Sequence, residues 1–252
     1  MSFIITIYVP GAIVMAADSR QSIILSRREK EEDKENKKIQ AVETVNSDFV
    51  YKIFLLPRHG IGINASGEFI LEKVTIESHI KRFQEEKLKD NDTVLGVAQK
   101  LSDYFRNQFS SANTTFHIAG FNKVSGISVP YVYLYQNTQK ELRRLNVNPE
   151  TNGITYGTSW GGQGDVIANI LGVRQIKGPK DTIKQSMLTP VIWDSMPIQD
   201  AIDFAIYAVR TTIDTIRFQA RPKNVGGPID VLLLTPEKIT WIQRKEYRGQ
   251  IN

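Results

Sequence analysis

The chain has 252 residues, 41% of them hydrophobic and 23% charged, with a formal net charge of +5. That composition suits a folded domain with a sizeable core. The lack of cysteine excludes disulfides, thiol catalysis and zinc–thiolate sites, and His59, His79 and His117 form no pair with metal-ligand spacing.

The basic residues are spread along the chain with no aromatic-interleaved patch, so no nucleic-acid partner is expected. The opening MSFIITIYVPG has no positive segment, and its apolar run is too short to span a bilayer. The expectation is a cytoplasmic protein without a membrane partner.

Residues 3–9, FIITIYV, are β-branched and aromatic and predict a strand. Pro10-Gly11 signals a turn, residues 12–18 a second strand, and QSIILS (21–26) its continuation. In RREKEEDKENKK (27–38) eleven of twelve residues are charged, so this stretch has nothing to bury and reads as part of a charged inserted loop at about 26–46. FVYKIFLL and GIGINAS predict two more strands joined at Pro57 to His59. From Gly67 the period changes: Phe69, Ile76, Ile80 and Phe83 share one helical face, and Val94, Ala98, Leu101, Phe105 and Phe109 mark a second helix. Strands follow at TFHIAGF, VPYVYLYQ, ELRRLNV and GITYGTS, then a helix over 162–172. Its glycine-rich entry, GTSWGGQGD, lacks the lysine of a phosphate loop and reads as a turn and helix start. A long helix starts beyond Pro197, with Ile198, Ile202, Ala205, Val209, Ile213 and Ile216 on one face. PIDVLLLT and KITWIQR predict the last strands. No linker separates two cores. Two sheets packed face to face with helices outside would bury these stripes in one domain, an α+β four-layer αββα sandwich.

Four positions stand out chemically. Asp18 and Arg20 end an apolar run, and Lys52 interrupts another, where a lysine is costly unless paired. Ser2 is a small second residue that permits removal of Met1. A serine left at the amino terminus has its own α-amine as general base, because that amine titrates at about 7.7–8.0. Such a nucleophile needs a cation beside it, a carboxylate to hold the cation and a backbone N–H aimed at the oxyanion.

These residues resemble those of proteasome β-type subunits and their bacterial proteasome-like relatives, which are N-terminal nucleophile (Ntn) hydrolases and threonine-type endopeptidases. AIVMAADSR (12–20) is similar to the family's second-strand signature, whose aspartate stands sixteen residues after the nucleophile, as Asp18 does after Ser2. YKIFLL resembles the segment of the active-site lysine, which implies Lys52. GINASGE resembles the loop that supplies the oxyanion N–H, which implies Ser66 or, shifted by one, Gly67. FHIAGF, DAIDFAIYAVRTTI and GGPIDVLLLT resemble later family elements, so the likeness runs over nearly the whole chain. It implies that Ser2 attacks the carbonyl, Lys52 stabilises it, Asp18 bonds Lys52 and the N-terminal backbone, and Arg20 fixes the turn. A supporting hydroxyl falls on Thr158 or Ser159. It further implies no metal or organic cofactor, a peptide or unfolded-protein substrate, and self-association into a homo-oligomeric ring or an open-ring variant, while any unfoldase partner stays unknown.

The chain departs from the family in its charged insertion, in serine for threonine, and in RPKNVGG. There the aspartate and serine that support the nucleophile's amine fall on Pro222 and Val225, with Asn224 a partial substitute. Three readings stay open: a peptidase, a non-catalytic ring subunit, and a hydrolase of small amides on the same fold.

Overall fold

A computed structural model describes residues 2–27, 40–172, 175–177, 183–185 and 190–247. Strands β1 (Phe3–Val9) and β2 (Ala12–Ala17) form a hairpin in which all thirteen side chains are buried. Two-sided burial explains why both read as unbroken apolar runs rather than as alternation. The next four strands are β3 (Gln21–Arg27), β4 (Gln40–Ser47), β5 (Ile53–Leu56) and β6 (Ile61–Gly67). Short β7 (Ile70–Leu71) and β8 (Val74–Thr75) lead into helices α1 (Ile76–Lys87) and α2 (Val94–Gln108), whose first turns are capped by the Thr75 and Thr93 hydroxyls. Then come β9 (Thr114–Val124), β10 (Ile127–Gln136), β11 (Glu141–Arg144), β12 (Gly157–Gly162) and α3 (Asp165–Ile170). The chain goes on through β13 (Gln175–Lys177), β14 (Ile183–Gln185), α4 (Ile198–Phe218), β15 (Asp230–Leu234) and β16 (Ile239–Gln243).

The fold is mixed α+β. One antiparallel sheet runs β12-β1-β2-β15-β16 and a second runs β11-β10-β9-β6-β5. Alternation along the strands sorts the core into three clusters. Ile4, Tyr8, Ile13, Met15 and Leu232 of the first sheet meet Ile53, Ala119 and Val132 of the second. The opposite face of the first sheet, through Phe3, Ile5, Val14 and Val231, packs on Ala201, Ala205 and Val209 of α4. The opposite face of the second, through Ile61, Ile63, Phe116 and Ile118, packs on Ile80 and Phe83 of α1 and Leu101 and Phe105 of α2.

Several elements differ from the sequence expectation. Gln21–Arg27 does not continue β2; it leaves at Asp18-Ser19-Arg20 and pairs with β4 as a separate two-stranded sheet. Residues 26–27 and 40–46 of the expected charged loop are therefore strand, while 28–39 lie outside the described residues. The first helix begins at Ile76, not near Gly67, because Phe69 leads into the β7–β8 turn instead. Strand β5 covers only Ile53–Leu56, β12 starts at Gly157, and the helix expected over 162–172 is confined to Asp165–Ile170. Helices α2 and α4 lie where their periodicity puts them.

Candidate active site

The site forms where β1 and β2 run out. The ladder ends with Asp18 N donating to Phe3 O at 3.2 Å, and the next donor, Phe3 N, goes to Asp18 Oδ1 at 2.9 Å. The carboxylate thus takes the place of a ladder carbonyl. Its Oδ1 also accepts Lys52 Nζ at 2.6 Å, and its Oδ2 accepts Arg20 N at 3.1 Å and Gly226 N at 3.0 Å. Four donors fill the capacity of an ionised carboxylate. Neither side chain of the Asp18–Lys52 pair has any exposure. A buried pair of this kind persists only when well bonded. Lys52 Nζ donates a second bond to Arg20 O at 2.7 Å and sits 5.6 Å from the Phe69 ring centroid. Burial pushes the Lys52 ammonium below its ordinary value, and Asp18 opposes that shift.

Ser2 is 1% exposed, and its Oγ accepts Gly67 N at 3.3 Å. Of the two expected oxyanion donors, Gly67 is the one that donates to the hydroxyl; both stand in the β6–β9 ladder, Ser66 opposite Thr115 and Gly67 opposite Thr114. Ser2 O accepts Gln163 N at 2.8 Å. Two glycines make this approach possible. A Cβ on Gly162, at φ +82°, would lie 1.8 Å from Ser2 O, and one on Gly67, at φ +105°, would lie 2.0 Å from Asn113 O. A cavity of ≈ 450 Å³ reaches Gly67 between Gln21–Ile23 and Glu68–Ile70. A larger one of ≈ 970 Å³, lined by Phe49, Ile229, Arg244 and Tyr247, does not touch Gly67.

Arg20 braces this turn from outside. Its Nε and Nη2 donate to both oxygens of Asp48, at 2.6 and 2.8 Å, and its Nη1 donates to Lys223 O at 3.0 Å. The pairing raises the Arg20 guanidinium and lowers the Asp48 carboxyl from their usual ranges, chiefly through those hydrogen bonds. Ser19 completes the brace through its N to Gly226 O and its Oγ to Pro228 O.

The expected supporting hydroxyls are not brought to Ser2. Thr158 stands opposite Ile7 and Ser159 opposite Thr6 in the β1–β12 ladder, about 13–17 Å along the strand. Thr158 Oγ1 bonds Thr6 O, and Ser159 Oγ meets His117 Nε2 at 3.3 Å. His117 Nδ1 meets Thr6 Oγ1 at 2.9 Å, and burial pushes this imidazole down to about 3. Pro222 is exposed and Val225 is buried in the apolar cluster under α4, so neither position carries a polar group to the site. Asn224 is 3% exposed, and its Oδ1 has no hydrogen-bond partner among the described residues.

Sequence reasoning missed Asp48, Gly162, Gln163, Gly226 and a second buried pair, Asp230–Lys245. The glycine pairs at 161–162 and 226–227 were the available signals for close backbone approach. Among the described residues no group of three or more His, Asp or Glu is placed to hold a metal ion, and no helix is long and apolar enough to cross a membrane.

No family model and no curated protein sequence matches the chain. Its structure is similar to that of the Anbu (Gly-1) mutant from Hyphomicrobium sp. strain MC1, with a TM-score of 0.56 and 14% identity over 97% of this chain and 86% of that one. At that identity the likeness carries the fold alone.

Proposed function

We propose that the chain is a proteasome-like Ntn hydrolase of one domain with αββα layering, a peptidase whose nucleophile is Ser2 once Met1 is removed. One observation carries the reading. Ser2 Oγ lies buried at the Gly67 N–H, while the next residue, Phe3, donates its own N–H to an Asp18 carboxylate already paired with Lys52. A strand end that spends a buried ion pair beside a buried hydroxyl fits nucleophile activation better than packing.

In this mechanism the Ser2 α-amine takes the hydroxyl proton as Oγ forms a bond to the substrate carbonyl carbon. The carbonyl electrons move to its oxygen, which Gly67 N–H receives. The C–N bond then breaks, the departing amine takes the proton from the α-ammonium, and water hydrolyses the acyl-serine by the same steps. Lys52 holds positive charge beside the developing alkoxide and Asp18 orients it. The substrate is a peptide or unfolded protein, read in the cavity between Gln21–Ile23 and Glu68–Ile70, within a homo-oligomeric ring in the cytoplasm.

The exposed Pro222 and the core position of Val225 favour a second reading, a non-catalytic ring subunit. Intact mass after exposure to a hydroxyl-reactive β-lactone separates the two. The peptidase reading expects loss of Met1 and one adduct that disappears in Ser2→Ala. A retained Met1 with no adduct refutes it and leaves the scaffold. If the adduct forms, cleavage of a small amide with unfolded protein left intact replaces the peptidase by a small-amide hydrolase.

A further inference from the structure

A second aspartate–lysine pair lies beside the first. Asp230 opens β15 and stands opposite Ala17, the residue before Asp18. It shares its parity with Leu232 and Leu234, which face the core between the two sheets, so its carboxylate belongs to the same gap. Lys245, just beyond β16, donates its backbone N to Asp230 Oδ1 at 2.8 Å and its Nζ to Asp230 Oδ2. Both side chains are 1% exposed. The pair is tied to the lysine side of the site as well. Lys245 Nζ lies 4.1 Å from the centroid of the Tyr51 ring, and Tyr51 OH donates to Lys245 O at 3.2 Å. Tyr51 immediately precedes Lys52, as Ala17 precedes Asp18.

A buried ion pair is a poor way to gain stability, since apolar residues of the same volume often do as well or better. Its position therefore asks for another reason. We propose that Lys245, anchored by Asp230 and capped by Tyr51, is a positioning residue for Lys52: it fixes the Tyr51–Lys52 segment and sets a second positive charge behind the Asp18–Lys52 pair. The catalytic consequence rests on the hydrolase reading; the charge coupling does not.

The surroundings of both ammonium groups agree. Burial lowers Lys52, Asp18 raises it, and the charges of Lys245 and Arg20 lower it further, with Asp48 beyond Arg20. Burial also lowers Lys245, Asp230 and Asp18 raise it, and Arg244 lowers it, while Tyr247 packs edge-on against Tyr51. Lys52 must keep its proton to stabilise an alkoxide, and burial and the neighbouring cations weaken that hold while Asp18 strengthens it. Lys245 sets where that balance lies.

The test neutralises the pair without stranding a charge. In protein labelled with [ε-13C]lysine, the titration of Lys52, assigned by its loss in Lys52→Met, is compared between wild type, Asp230→Asn/Lys245→Met and Lys245→Arg. The rate of Ser2 modification by a β-lactone is followed over the same pH range. The double variant is expected to move the Lys52 midpoint, and with it the basic limb of the Ser2 rate, upward by about half a unit or more. Lys245→Arg keeps the charge and is expected to hold the wild-type midpoint. A folded double variant with an unmoved Lys52 midpoint overturns the proposal, and so does a basic limb that stays in place while the midpoint moves. A moved midpoint with an inert wild-type Ser2 supports the charge coupling and refutes the hydrolase reading.

Discussion

The two members of the Asp18–Lys52 pair are not equivalent, and their removal should show it. Lys52→Met leaves the carboxylate with three backbone donors, Phe3 N at 2.9 Å, Gly226 N at 3.0 Å and Arg20 N at 3.1 Å. Asp18 stays buried as an anion but hydrogen-bonded, so the loss belongs at the low end for a broken buried pair, about 3 kcal/mol. Asp18→Ala removes the partner of the ammonium and of all three N–H groups. Adding about 1 kcal/mol for each stranded donor gives about 6 kcal/mol. The second variant also has a steeper pH dependence than the wild type, whose Lys52 is already lowered by burial but held up by Asp18. Its Lys52 is a buried amine without a counterion, which sheds its proton in the native state while the unfolded chain holds it up to about 10.4. The unfolded state then binds more protons, so stability rises with pH up to that value. Urea unfolding followed by the fluorescence of Trp160, Trp193 and Trp241, at about pH 7 and about pH 9.5, measures both quantities. Equal losses in the two variants, or an Asp18→Ala stability that does not rise with pH, would refute the view that Asp18 organises the strand end.

The other expectations follow from the same geometry. His117 is neutral in the fold, held down to about 3, so stability present above the unfolded value of about 6.5 is lost progressively as the pH falls toward 3. At about pH 4.5 the loss is about 2.7 kcal/mol, and His117→Gln should flatten that part of a pH–denaturation profile. Gly162→Ala and Gly11→Ala both place a side chain at positive φ, but only at Gly162 does the new Cβ meet a backbone atom, while nothing lies within 4 Å at Gly11. Gly11→Ala should cost about 1 kcal/mol and Gly162→Ala at least about twice that, and only the latter should slow β-lactone labelling of Ser2. Arg20→Lys gives up the two-point contact with Asp48 and the bond to Lys223 O. Global stability should change by less than about 1 kcal/mol, because the pair is partly exposed, while amide exchange at Gly226 should speed up about fivefold.

The parts of the fold legible in the sequence are those where one physical signal dominates. Continuous apolar runs marked β1, β2 and β15, and a single apolar stripe marked α2 and α4. The start of α1 was not legible. Phe69 stands seven residues before Ile76, in phase with the helix, but the chain turns between them at Glu72 and Lys73, with φ of 49° and 67°. Neither residue type advertises a left-handed conformation. The β3–β4 pairing was hidden for another reason: nothing local in QSIILS distinguishes extension of β2 from pairing with residues 40–47. At the site, Asp18 and Lys52 were visible because each sits against an apolar run. Lys245 follows an ordinary strand end, and Thr158 and Ser159 were assigned by spacing that the β1–β12 register does not honour.

The segment 222–228 shows why side-chain comparison alone misjudges this site. Every contact described for it with the strand end runs through backbone atoms: Lys223 O to Arg20, Gly226 N to Asp18, and Gly226 O and Pro228 O to Ser19. Such contacts need the chain in place rather than a particular residue. What they do demand is room, and a Cβ on Gly226 would come within 2.6 Å of the Arg20 guanidinium carbon. Val225 serves the same end from below, anchoring the loop in the cluster under α4. A polar residue at 225 would loosen that anchor and bury an extra hydroxyl. The Pro222 and Val225 departures therefore leave the Asp18–Lys52 pair fully held, and Asn224 is the polar side chain this loop buries.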